Sequence, residues 1–118
     1  MWMKPQNKKN LIELYSASDI VFDQFVLQEF GQVFLEAMSC GVPTFIYLKG
    51  CDQLYKESPP CVNVFSEDEI FEKLMELTES PLKLREIGIK SREWIKKYHD
   101  WRLSVKLYRN LYESILVR

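Results

Sequence analysis

The stretch Gln28-Glu29-Phe30-Gly31-Gln32-Val33-Phe34-Leu35-Glu36-Ala37-Met38-Ser39-Cys40-Gly41-Val42-Pro43 sets a glycine between polar residues and then runs apolar to Gly-Val-Pro. Gly41 suits the residue just past a helix, and Pro43 stops its continuation, so the run predicts a helix that begins near Gly31 and ends at Cys40. Within its apolar segment stands one carboxylate, Glu36. A helix packed on a sheet has no folding need for a carboxylate there, although a solvent-facing Glu would be harmless. Its role depends on what surrounds it.

Upstream, Leu11 to Ser18 places apolar residues at helical spacing, and Asp19 to Val26 then switches to a β-branched and aromatic run, predicting helix followed by strand. Downstream, Thr44-Phe45-Ile46-Tyr47-Leu48 reads as a second buried strand. Lys49 to Pro60 carries Gly50, Ser58, Pro59 and Pro60 and reads as loop, with one helical turn at Asp52 to Lys56. Cys61 to Phe65 is a third, short strand. Ser66-Glu67-Asp68-Glu69 fits a capping box ahead of the apolar stripe Ile70, Phe71, Leu74, Met75 and Leu77. Pro81 suits the first turn of the next helix, whose inward face is Leu84, Ile87, Trp94, Ile95 and Tyr98. A last helix starts near Arg102. Alternating helix and buried strand through residue 65, followed only by helices, predicts an α/β layer with a short parallel sheet and C-terminal helices.

At 118 residues the chain has the size of one domain with one core. Sixteen basic residues face seventeen acidic ones without a basic block, which leaves no electrostatic footprint for nucleic acid or an anionic membrane. Cys40, Cys51 and Cys61 lack metal-ligand spacing, and the single His99 cannot complete a zinc set with them. No metal and no cofactor are expected. Reduced thiols and the absence of a signal-like or membrane-length apolar run predict a cytoplasmic chain with no transmembrane segment. His99 is read as a surface or packing residue, Trp94 and Trp101 as core anchors, Cys40 as a small apolar group, and Lys4, Lys8 and Lys9 as solvated.

A strand that leads through Glu29-Phe30-Gly31 into a helix presents backbone N–H groups and the positive helix end at the carboxyl edge of a parallel sheet, where open α/β sheets bind ligands. Many such turns use one glycine only to pack the helix closely, so the glycine alone leaves both roles open. Glu36, five residues in, lies roughly 7 to 8 Å along the axis. That is the reach from a phosphate at the helix end to a ribose, whose vicinal hydroxyls a carboxylate can accept together. A solvated surface Glu fits the same spacing.

The segment also resembles the donor-site stretch of the GT-B retaining glycosyltransferases of group 1 (family four), typically E-G-F-G-L-V-L-L-E-A-M-A-C-G-V-P. Leu14-Tyr15-Ser16-Ala17-Ser18-Asp19 resembles the family's L-Y-A-A-A-D, Ser80 to Gly88 its D-P-x-L-R-x-x-L-G, and Tyr98-His99-Asp100-Trp101 its F-S-W. The matches keep the family's order over about residues 11 to 116. The resemblance implies a partial Rossmann-like, GT-B donor domain over 11–118 behind an N-terminal tail of 1–10. It further implies a nucleotide-diphosphate-sugar donor, with Gln28, Glu29 and Phe30 at the sugar, Gly31 and Gln32 at the diphosphate, and Glu36 at the ribose.

Several positions depart from that pattern. Gln28 stands where the family carries its first Glu. An amide keeps shape and hydrogen bonding but loses the charge that would stabilise an oxocarbenium-like transition state. Lys49-Gly50-Cys51-Asp52 replaces the family's Gly-Gly loop, and the resemblance covers only the latter half of a donor domain. No catalytic residue is assigned, and hexosyl transfer is not expected from this chain alone. Its expected partners are a missing N-terminal glycosyltransferase chain or a second copy in a homodimer that completes the sheet. The alternative is a non-catalytic binding or assembly module with a degenerate donor site.

Overall fold

The computed structural model describes residues 2–117. Its elements run α1 (Lys8–Ser16), β1 (Val21–Phe22), α2 (Gln32–Ser39), β2 (Thr44–Ile46), a 3-10 turn (Cys51–Leu54), β3 (Val62–Asn63), α3 (Glu67–Thr78), α4 (Pro81–Tyr98) and α5 (Trp101–Leu116). The three strands form one parallel sheet in the order β1-β2-β3, with Val21 opposite Thr44, Phe22 opposite Phe45, Phe45 opposite Val62 and Ile46 opposite Asn63. This is the mixed α/β, partial Rossmann-like layer expected from the alternation of helix and strand.

Helix ends follow local chemistry. Asn7 caps α1 by accepting from the Asn10 amide at 2.9 Å, so the helix starts inside the stretch read as a tail. The capping box forms, Ser66 Oγ accepting from the Glu69 amide at 3.2 Å while Glu69 Oε2 accepts from the Ser66 amide at 3.2 Å. Helix α2 closes in a Schellman motif, with the Gly41 amide on the Met38 carbonyl and the Val42 amide on the Ala37 carbonyl. Gly41 has φ +75°, the left-handed conformation that favours glycine.

The sheet separates two apolar clusters, because neighbouring residues of a strand point to opposite faces. On one side Ile46 and Leu48 meet Phe34 and Met38 of α2 and Trp94 of α4. On the other, Phe45, Val62 and Val64 meet Leu77 of α3, with Leu84 and Ile87 of α4 beside them. Trp94 is anchored by its indole N–H, which donates to the Glu57 carbonyl at 2.9 Å. Trp101, expected in the core, is instead 67% exposed at the start of α5.

Each strand is shorter than its apolar run. The Asn63 side chain donates to the Leu48 carbonyl at 3.1 Å and accepts from the Leu48 amide at 2.9 Å, taking over pairing that a longer β3 would supply. After β1 the chain still tracks β2 through the Asp23 amide on the Phe45 carbonyl and the Tyr47 amide on the Gln24 carbonyl. It then turns away as the loop that leads to α2.

Candidate functional site

The loop from Asp23 to Gly31 is organised by one side chain. Gln24 Oε1 accepts from the amides of Val26 (3.1 Å) and Leu27 (2.7 Å), and its amide donates to the Glu29 carbonyl. At the far end Gln28 adopts φ +61°, and its carbonyl accepts from the Lys49 amide at 3.1 Å and from the Cys51 thiol at 3.6 Å. Lys49 to Cys51, where the family has Gly-Gly, thus holds the backbone of the loop. The Gln28 and Glu29 side chains are exposed.

Phe30 turns its ring inward. It stacks on Phe34 with centroids 4.9 Å apart and meets the edge of His99 at 6.0 Å. Its backbone, not its ring, faces the turn. His99 belongs to this aromatic cluster, its Nε2 3.0 Å from the Tyr55 hydroxyl, and burial pulls its pKa below the ordinary value. Of the surface and packing roles expected of it, it takes the packing one.

Gly31 is the N-cap of α2, with φ −124° and ψ −156°, and supplies no side-chain cap of its own. A Cβ built on Gly31 meets no atom within 4 Å. The backbone conformation is one that any residue adopts, and the space is open. The fold therefore has no need of a glycine at this position, in contrast to Gly88, where a Cβ would come within 2.1 Å of the Gly41 carbonyl oxygen.

Asp23 lies against the same helix end. Burial raises its pKa above the usual carboxylate value, and the amides of Phe34 and Gly31 partly offset this. These amides approach the carboxyl without closing a well-formed bond, since Oδ2 is buried and has no hydrogen-bond partner among the described residues.

Glu36 sits one and a half turns into α2, on the side facing α1, with its side chain 27% exposed. Lys8 Nζ lies 2.8 Å from Oε1, and the Tyr15 hydroxyl donates to Oε2 at 3.3 Å. Lys8, expected to be solvated, is an ion-pair partner, although its side chain remains 80% exposed. The three residues border a cleft of about 190 Å³ between α1 and α2, lined also by Leu11, Ile12 and Cys40. Burial raises the Tyr15 pKa, and the Glu36 carboxylate beside it raises it further.

The fold thus brings Gln28 through Gln32 together at the carboxyl edge of the sheet and carries Glu36 around the helix to a cleft of its own. Asp23, Gln24, Lys8 and Tyr15 were not among the expected site residues. The polar pair Asp23-Gln24 within an apolar strand run was the available signal for the first two. Nothing local marks Lys8, which reaches Glu36 across 28 positions.

Among the described residues no group of three or more His, Cys, Asp or Glu is placed to hold a metal ion, and no helix is long and apolar enough to cross a membrane. A family model described as glycosyl transferase-like matches residues 2–108. No curated protein and no solved structure matches the chain.

Proposed function

The chain belongs to the glycosyl transferase-like family, and from that premise we propose that the α2 end and the Glu36 cleft form the donor half-site for a nucleotide-diphosphate sugar. The carrying observation is Gly31. A glycine that neither packing nor backbone conformation requires leaves open space at the positive end of a helix, beside amides that the Asp23 carboxyl approaches without a well-formed bond. A phosphate approaching that closely is the occupant such a site suits.

In this reading the amides of Gly31 and Gln32 receive the diphosphate, and the backbone of Gln28, Glu29 and Phe30 borders the sugar. Glu36 accepts from the ribose hydroxyls after Lys8 swings away. That displacement is cheap, because an exposed ion pair is worth about 0–1 kcal/mol. Tyr15 keeps one carboxylate oxygen in place while the other turns to the ligand. Gln28 offers hydrogen bonds to a sugar but no charge for a cationic transition state, so binding is retained where transfer by this chain on its own is weak or absent.

A non-catalytic binding module is the second reading. Gln28 favours it, and so does the Asp23 carboxyl, which lies against the amides meant for phosphate. Backbone amide shifts in a titration with nucleoside diphosphates and their sugars test both readings. Shifts confined to residues 28–36 and the Lys8–Tyr15 face support the half-site, and a folded sample silent to the whole panel contradicts it. Activity gained by Gln28→Glu in the presence of a complementary N-terminal domain separates the enzyme from the module.

A further inference from the structure

Asp23 follows the last residue of β1, at the carboxyl edge of the parallel sheet where open α/β layers bind ligands. Its backbone is pinned there, because the Asp23 amide donates to the Phe45 carbonyl at 3.0 Å and the Tyr47 amide donates to the Gln24 carbonyl at 3.1 Å. The side chain is half-buried against the start of α2, and Oδ2 is sealed with no hydrogen-bond partner among the described residues. A residue that served only to cap α2 would close its bonds to the helix amides, as Asn7 and Ser66 do at their own helices. Asp23 instead approaches the Gly31 and Phe34 amides and leaves an oxygen unsatisfied. Taking up a proton relieves that cost, since burial penalises the ionised form most.

We propose that Asp23 is a ligand-binding residue of the donor half-site that works in its neutral form, so that a nucleotide-diphosphate sugar binds together with one proton. The inference rests on the half-site reading of the α2 end. Two anions at one set of amides repel each other, and the group whose charged form is already disfavoured is the one that yields. The doubly esterified diphosphate of such a donor keeps its charge across the range in which a carboxyl titrates, so the proton goes to Asp23. The neutral acid then has an O–H to donate, and a phosphate oxygen in the open space beside Gly31 is its acceptor. A carboxyl that opposes phosphate when ionised becomes its partner. Other charges around it are few. The facing turn of α2, Gln32 to Leu35, and β2 carry no charged side chain. Tyr15 of α1 feels the Asp23 charge, and Glu36 is held by Lys8 and Tyr15. Glu29 and Lys49 are exposed at the end of the loop, and His99 reaches it through the Phe30 ring.

Affinities of UDP-glucose, GDP-mannose and ADP-glucose for the full chain, read by amide shifts from about pH 4 to 8, test the inference. A bound ligand raises the Asp23 pKa, so binding is strongest where the carboxyl is protonated in both states and weakest where it is ionised in both. Affinity is expected to fall about two- to fivefold as pH rises through the Asp23 titration, the effect of one charge at a helix end, and to level off on either side. Asp23→Asn, neutral at every pH, should hold the acid-side affinity throughout. On the unmodified chain, the carbon-13 signal of the Asp23 carboxyl should titrate at higher pH with ligand than without, a reading that requires no variant to fold. A flat profile, a profile unchanged in Asp23→Asn, or a carboxyl signal that titrates alike with and without ligand overturns the inference and leaves the half-site standing. A folded sample that binds none of the three donors at any pH removes the half-site reading and this inference with it.

Discussion

Around the candidate site, burial shifts the titration of individual side chains away from their charged forms, and each shift can be measured. The Tyr15 phenol is raised first by burial and then by Glu36. Glu36→Gln should therefore bring its ultraviolet titration part of the way back toward the ordinary value, and no change would mean that the Tyr15–Glu36 contact is not formed in solution. Asp23 places a carboxyl, its pKa raised by burial, beside the amides of Gly31 and Phe34, where its ionised form competes with a bound phosphate. Asp23→Asn should tighten nucleoside-diphosphate binding about two- to fivefold, the effect of roughly 0.3–1 kcal/mol for one charge at a helix end. Binding that weakens would show that the carboxyl supports the site. His99 is held neutral by burial, so its folded-state pKa lies below its unfolded one. Its contribution to stability is present above the unfolded value and is lost as pH falls through it, since only the unfolded chain then takes up the proton. Denaturant midpoints should accordingly fall on acidification through the ordinary histidine range, with a shallower slope in His99→Gln.

At the scale of elements, the contact between α2 and α4 depends on two bare backbones. Gly88 leaves room for the Gly41 carbonyl, and any side chain there drives α4 off the sheet. Gly88→Ala should destabilise the chain by about 2 kcal/mol or more through overpacking, measured as a lower midpoint in urea with an unchanged slope. Most of these elements were legible in the chain. Ser66 with Glu69 marks the start of α3, Pro81 the start of α4, and Gly41 with Pro43 the end of α2, because caps and stops are chemistry of a few adjacent residues. Strand lengths were not legible. Asn63 ends β3 through bonds to Leu48, fifteen residues away, and Gln24 turns an apolar run into a loop by accepting from the nearby amides of Val26 and Leu27. In the candidate site the turn and Glu36 stand in one continuous stretch and could be read together. Lys8 and Tyr15 reach Glu36 only once α1 is docked, so no pattern in their own neighbourhood announces them.

The whole molecule joins a small two-faced layer, with cores on both sides of a three-stranded sheet, to a long helix that the layer does not cover. Trp101 shows why sequence pattern misleads at this scale. Its spacing is that of a core residue, but the surface it fits lies outside the layer. The function proposed above rests on the other end of the molecule, and under it Gly31 is kept for a ligand and not for folding. The decisive measurement is therefore a paired one on Gly31→Ala, combining urea unfolding with an amide-shift titration by nucleoside diphosphates. The account predicts stability within about 1 kcal/mol of the unaltered chain, because alanine can adopt the glycine's conformation but caps a helix less well, together with weakened nucleotide binding. A stability loss well beyond that of a weakened cap, or full stability with binding equal to that of the unaltered chain, would contradict it.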